Sequence, residues 1–179
     1  MKSYLLGVWN AIDPVYYNLT RLHYVPDTEQ RNTLFRVRLT TYRGVSVVLS
    51  DGTLIKKGDL LIKIHLHNVR MINELQSTTS EVKKAVFIYH MVKRSLPRLA
   101  NYVESNYGNK NIKGIIGITT LYRGASRLGF EVFPIKNRYY RFFKKSTFIP
   151  INLLANTIDD STPVYLFMSK SNLVKRYTL

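Results

Sequence analysis

Phe35-Arg36-Val37-Arg38-Leu39-Thr40, read together with Leu60-Leu61-Ile62-Lys63-Ile64-His65-Leu66-His67, decides the fold class of this chain. In the first run Phe35, Val37 and Leu39 fall on one side and Arg36, Arg38 and Thr40 on the other. In the second, Ile62, Ile64 and Leu66 oppose Lys63, His65 and His67. Alternation with a period of two residues marks a half-buried strand. Between the runs, Tyr42-Arg43-Gly44 turns the chain and Val45 to Leu49 reads as a short strand. Ser50-Asp51-Gly52-Thr53 is a strong hairpin signal, because Asp-Gly accepts the positive φ of a tight turn, and Lys57-Gly58-Asp59 turns the chain again. As neighbours in one antiparallel sheet, these strands leave one apolar face and one face bearing Arg36, Arg38, Lys63, His65 and His67.

Helices must cover the apolar face. Thr78-Thr79-Ser80-Glu81 has the pattern of a capping box with Thr78 as N-cap. Behind it Val82, Ala85, Val86, Tyr89, Val92, Leu96, Leu99, Ala100 and Val103 recur at helical spacing, which predicts a long amphipathic helix over 78–105, kinked at Pro97. Lys83, His90, Arg94 and Arg98 form its outer, basic stripe. A second helix is predicted from Ile112 to Leu128, stopped by Gly129. Gly114, Gly117 and Gly124 weaken that helix, which implies close packing against its backbone. Phe130 to Ile135 reads as a strand, 146–157 as a short helix, Pro163 to Met168 as a final strand, and Ser169-Lys170-Ser171 as the cap of a last helix towards Tyr177. Residues 1–24 repeat apolar positions at near-helical intervals, broken at Asp13-Pro14, and read as an N-terminal helical segment. The expected architecture is α+β: an antiparallel sheet packed against two or more helices in a single domain over 1–179.

Composition limits the function classes. The chain has 179 residues with 27 Lys+Arg against 11 Asp+Glu, a net charge of +16. Its hydrophobic fraction of 45% and mean hydropathy of -0.13 are those of a folded globular protein. Absence of cysteine removes disulfides, thiolate metal sites and thiol nucleophiles, and favours a cytoplasmic address. No apolar run is long enough to cross a bilayer. Fourteen of the basic residues fall between Lys83 and Lys145, against Glu104 and Glu131 alone. Such a field draws polyanions: nucleic acid, anionic lipid headgroups or wall polymers.

Phe35-Arg36-Val37, Tyr42-Arg43-Gly44, Asp51-Gly52, Gly58-Asp59, Ile64-His65-Leu66-His67-Asn68 and Ala125-Ser126-Arg127-Leu128-Gly129-Phe130 together resemble the YkoP-like domain family of Gram-positive bacteria. Members of that family stand alone or extend polysaccharide deacetylases, so the resemblance implies a setting of cell-envelope carbohydrate or lipid-linked sugar. Deacetylation itself does not follow, since the chain has no His-x-x-x-His pair and no early paired aspartates.

The residues themselves point to anion binding. His65 and His67 face the same side of a strand, as a metal or a phosphate would require, but Arg36, Arg38 and Lys63 beside them discourage a second cation. The expectation is therefore no metal and no cofactor, with Arg36, Arg38, His65, His67, Asn68, Arg123 and Arg127 as the ligand-binding set. Arg123 and Arg127, four apart on the expected helix, would grip one anionic group together. Arg138, Arg141, Lys144 and Lys145 supply a peripheral electrostatic surface. Between them, Tyr139, Tyr140, Phe142 and Phe143 either stack bases or alternate in a strand whose rings face the core, the commoner arrangement. The function expected is non-catalytic recognition of an anionic, phosphate-bearing envelope component, a lipid headgroup or a lipid-linked sugar, by a cytoplasmic protein able to sit at the inner face of the membrane. One alternative is a small envelope-carbohydrate or lipid-metabolism enzyme with His67 as general base, and the other is non-specific nucleic-acid binding.

Overall fold

The alternating runs do pair. The computed structural model describes residues 22–26, 34–66, 80–144 and 162–178. Strand β1 (His23–Tyr24) lies at one edge of a six-stranded sheet, beside β2 (Phe35–Thr41) and β5 (Leu60–Leu66). Between β2 and β5, a separate two-stranded hairpin is made by β3 (Val47–Val48) and β4 (Leu54–Ile55). A long helix α1 (Glu81–Tyr107) leads to β6 (Ile112–Thr119), a 3-10 turn (Ala125–Leu128), β7 (Glu131–Pro134), helix α2 (138–144), β8 (Val164–Ser169) and α3 (Lys170–Tyr177). The sheet order is β1-β2-β5-β6-β8-β7, and the class is α+β as expected. Four of its pairings are antiparallel and β5–β6 is parallel, so the sheet is mixed rather than wholly antiparallel. The parallel pair follows from the α1 crossover that separates its two strands.

The stretch expected as a helix over 112–128 is instead a central strand, a turn and a single 3-10 turn. Ile112, Ile115, Ile116 and Ile118 are β-branched, and a strand covered on both faces reads as an unbroken apolar run that mimics a helix. Close packing at its backbone is nevertheless real. A Cβ on Gly114 would lie 2.2 Å from the Met168 carbonyl oxygen of the neighbouring strand. Helix α1 begins two residues later than the capping pattern suggests: Ser80 is the N-cap and its hydroxyl accepts from the Lys83 backbone N–H. The helix runs through Pro97.

Register sorts the side chains onto two faces. Val37, Ile62, Ile115, Leu166 and Met168 point to one side, where Leu96, Leu99, Ala100 and Val103 of α1 complete the main core. Val82 and Val86, expected to join it, are exposed. On the opposite side Leu61, Ile116 and Phe167 pack against Tyr42, Leu49 and Ile55 from the β3–β4 hairpin and its flank. The hairpin is tied down at its turn. The Glu131 carboxylate accepts the Ser50 backbone N–H at 2.9 Å and its hydroxyl at 2.8 Å, while Asp51 accepts hydrogen bonds from Ser169 and from the Thr53 N–H.

Residues 1–21 of the expected N-terminal helical segment, Thr78, and the helix expected over 146–157 lie outside the described residues. His23 and Tyr24, which that segment would have included, form β1.

Candidate functional site

Hairpin packing covers only part of the second sheet face. Beyond Leu61, strand β5 continues on that face with Lys63 and His65, and antiparallel register sets Arg38 directly opposite Lys63 and Arg36 directly opposite His65. Tyr24 of β1 pairs in register with Arg36. Helix α2 stands over this patch, and Asn137 caps its start: the Asn137 side chain accepts the Tyr140 N–H and its carbonyl accepts the Arg141 N–H, both at 2.9 Å. Tyr140 and Lys144 are thereby half-buried, and Lys144 acts electrostatically on both Lys63 and His65.

The result is a cluster of like charges. Arg36 is 4% exposed; it donates to the Tyr24 hydroxyl and its guanidinium lies 4.7 Å from the centre of the Tyr24 ring. Burial, then Lys144 and Arg38, pulls the Lys63 ammonium down from 10.5 to about 8. Burial, with Lys63, Arg38, Lys144 and Arg36 behind it, pulls His65 down to about 3, so its imidazole is neutral near neutrality. Its Nε2 is buried without a hydrogen-bond partner among the described residues. Burial and Arg38 also lower Lys144. Tyr165, at the floor beside Tyr140 and Tyr42, is pushed up to about 12 by burial first and by those two phenols second. Among the described residues, the carboxylates of Asp51, Asp59 and Glu131 are engaged in the hairpin and its turns. Such a face offers several donors and positive charge to an anion. It offers a cation little: among the described residues no group of three His, Asp or Glu side chains converges as a metal site would need.

Of the residues expected from sequence, the fold gathers Arg36, Arg38 and His65, and brings Lys144 in from the supposed periphery. Arg123 and Arg127 do not join them. They are exposed in the turn and 3-10 segment whose Ala125 and Leu128 pack into the core on the α1 side of the sheet. With no helix there, their shared face disappears. Arg138 and Arg141 flank the outside of α2, while His67, Asn68 and Lys145 lie outside the described residues. Alternation placed Lys63 on this face but carried no sign of its unusual burial. Tyr24, Tyr140 and Tyr165 had no recognisable signal, since each reaches the site through pairing or helix placement.

A model of the YkoP domain matches residues 2–177 of the chain. The chain belongs to the YkoP family. It is 46% identical, over 99% of its own length and 98% of the relative's, to a Bacillus subtilis (strain 168) protein named "Uncharacterized protein YkoP". No solved structure matches it significantly. The cationic face is thus a feature of a YkoP domain that covers nearly the whole chain.

Acid should destabilise this YkoP domain in part through His65. With a native value near 3 and an ordinary value of 6.5, His65 takes up its proton more readily in the unfolded chain between those limits. Its contribution to stability is therefore complete above pH 6.5 and lost as the pH falls towards 3. His65→Gln is expected to flatten the decline of the thermal midpoint across that window. Identical acid limbs for the two proteins would show that the imidazole is not held neutral.

Proposed function

We propose that the sheet face of Arg36, Arg38, Lys63, His65 and Lys144 recognises a phosphate-bearing anion without transforming it. The observation that carries this reading is the Arg38–Lys63 pair, two cations directly opposite each other on neighbouring strands with a third, Lys144, acting from above. Like charges so placed oppose folding. A doubly charged oxyanion between them converts that repulsion into charge-assisted hydrogen bonds, with the neutral His65 as an additional polar contact. At this face recognition is favoured over chemistry, because His65, at about 3, is far from the value useful to a general acid or base at neutral pH; His67, the base of the enzymatic alternative, lies outside the described residues. The candidate ligand is the phosphate of a lipid headgroup or lipid-linked sugar, the class implied by the family resemblance.

Calorimetric titration with inorganic phosphate tests this reading. One saturable site that persists at moderate salt is expected. Heat that vanishes as chloride rises would mean that only the general attraction of a +16 chain is at work.

A further inference from the structure

Helix α2 is turned the wrong way for an ordinary surface helix. Tyr139, Phe142 and Phe143 occupy positions i, i+3 and i+4 and are 90%, 75% and 58% exposed, while Tyr140 and Lys144 face the sheet. The expected arrangement, a strand with rings in the core, is thus replaced by a helix that presents its aromatic stripe to solvent. Exposed Lys136 and Arg138 and half-buried Arg141 flank the stripe. Aromatic rings beside cations suit the headgroup layer of a membrane, where the rings leave water and the cations stay in it.

We infer that this face of α2 docks on an anionic lipid bilayer, and that the anion held by the neighbouring cluster is a lipid headgroup presented there. The second half rests on the anion reading above; docking does not. Lys144 marks the boundary between the two regions, its ammonium 5.5 Å from the centres of both the Tyr140 and the Phe143 rings. A phosphate seated at Lys144 has the cluster on one side and the apolar stripe on the other, as a headgroup has acyl chains behind it. Charge complementarity selects the occupant: a chain of net charge +16 repels a second copy of itself and is drawn to an anionic surface. Nucleic acid fits less well, because its bases need stacking platforms strung along a groove, whereas these rings rise together from one face of a short helix.

The test is co-sedimentation of the full chain with vesicles of phosphatidylcholine containing phosphatidylglycerol, with phosphatidylcholine alone and single-stranded DNA as comparisons. The combined Tyr139→Ser, Phe142→Ser and Phe143→Ser variant, with its thermal midpoint as a check of folding, is expected to bind the anionic vesicles at least about thirtyfold more weakly. Its calorimetric response to inorganic phosphate should match that of the original chain. Undiminished vesicle binding by the variant overturns docking, as does equal binding of the original chain to neutral vesicles. A variant that loses only DNA binding, or only self-association, assigns the face to that partner and also overturns the proposal. Vesicle binding that fails while phosphate still titrates removes docking and leaves the anion site; vesicle binding without a phosphate site does the reverse.

Discussion

Lys63→Met is expected to make the protein more stable and, on the proposed anion reading, to weaken phosphate binding. The substitution keeps the unbranched stem that lies along the sheet and deletes the ammonium. In the unliganded protein that ammonium is a cost, because burial, Lys144 and Arg38 hold it at about 8 instead of 10.5. The sign follows from linkage. Above pH 10.5 the amine is neutral in both states, and as the pH falls towards 8 the unfolded chain takes up the proton first, so stability is lost across that window. At pH 7 the native state bears the whole cost, and the screened gain on deleting the charge is about 1–2 kcal/mol. The gain should disappear above pH 10.5. Phosphate binding moves the other way, since losing a charge-assisted contact at a half-buried site costs about 1.5–3 kcal/mol, roughly ten- to hundredfold in affinity. Denaturant melts and calorimetry on the same two proteins check both halves. A variant that is less stable and binds phosphate normally would mean that Lys63 is an ordinary structural side chain.

Gly114→Ala is expected to destabilise the fold by more than about 3 kcal/mol. The added methyl would meet backbone: the Met168 carbonyl oxygen at 2.2 Å, the Ser169 Cα at 2.9 Å and the Met168 carbonyl carbon at 3.1 Å. None of these can rotate away, because Gly114 pairs with Ser169 in the centre of the sheet and also faces the register shift at Leu60/Leu61 of β5. Gly117→Ala on the same strand is the control. Its methyl would first meet the Ile64 side chain at 3.4 Å, an ordinary contact, and a change within about 1 kcal/mol is expected. Urea unfolding of the two variants distinguishes a strand locked by backbone contact from one merely intolerant of any added volume.

Gly114 also shows what the sequence could and could not convey. Local chemistry announced that something approaches this backbone, but Ile112 to Thr119 is apolar on both sides, and a doubly covered strand has no alternation to separate it from a buried helix. Where one face is covered and the other polar, the pattern was sufficient. Phe35 to Leu39 and Leu60 to Leu66 alternate cleanly, and they pair in the expected sense with Arg36, Arg38, Lys63 and His65 on one face. The site was therefore half legible. Its sheet floor follows from period two, whereas its roof depends on α2 folding back so that Lys144 meets Arg38 and Lys63, and no local pattern encodes that return. Arg123 and Arg127 stand apart from that face for the complementary reason: their alignment existed only in a helix that tertiary pairing of β6 replaced.

On the anion-recognition proposal the Lys63 ammonium, disfavoured by burial and then by Lys144 and Arg38, is restored by a bound anion. Nuclear magnetic resonance of the Lys63 side chain through a pH titration, with and without inorganic phosphate, measures this directly. The account predicts a value near 8 for the free protein that rises towards the ordinary 10.5 as phosphate saturates the site. A Lys63 that titrates at its ordinary value without phosphate, or that ignores phosphate altogether, would contradict it.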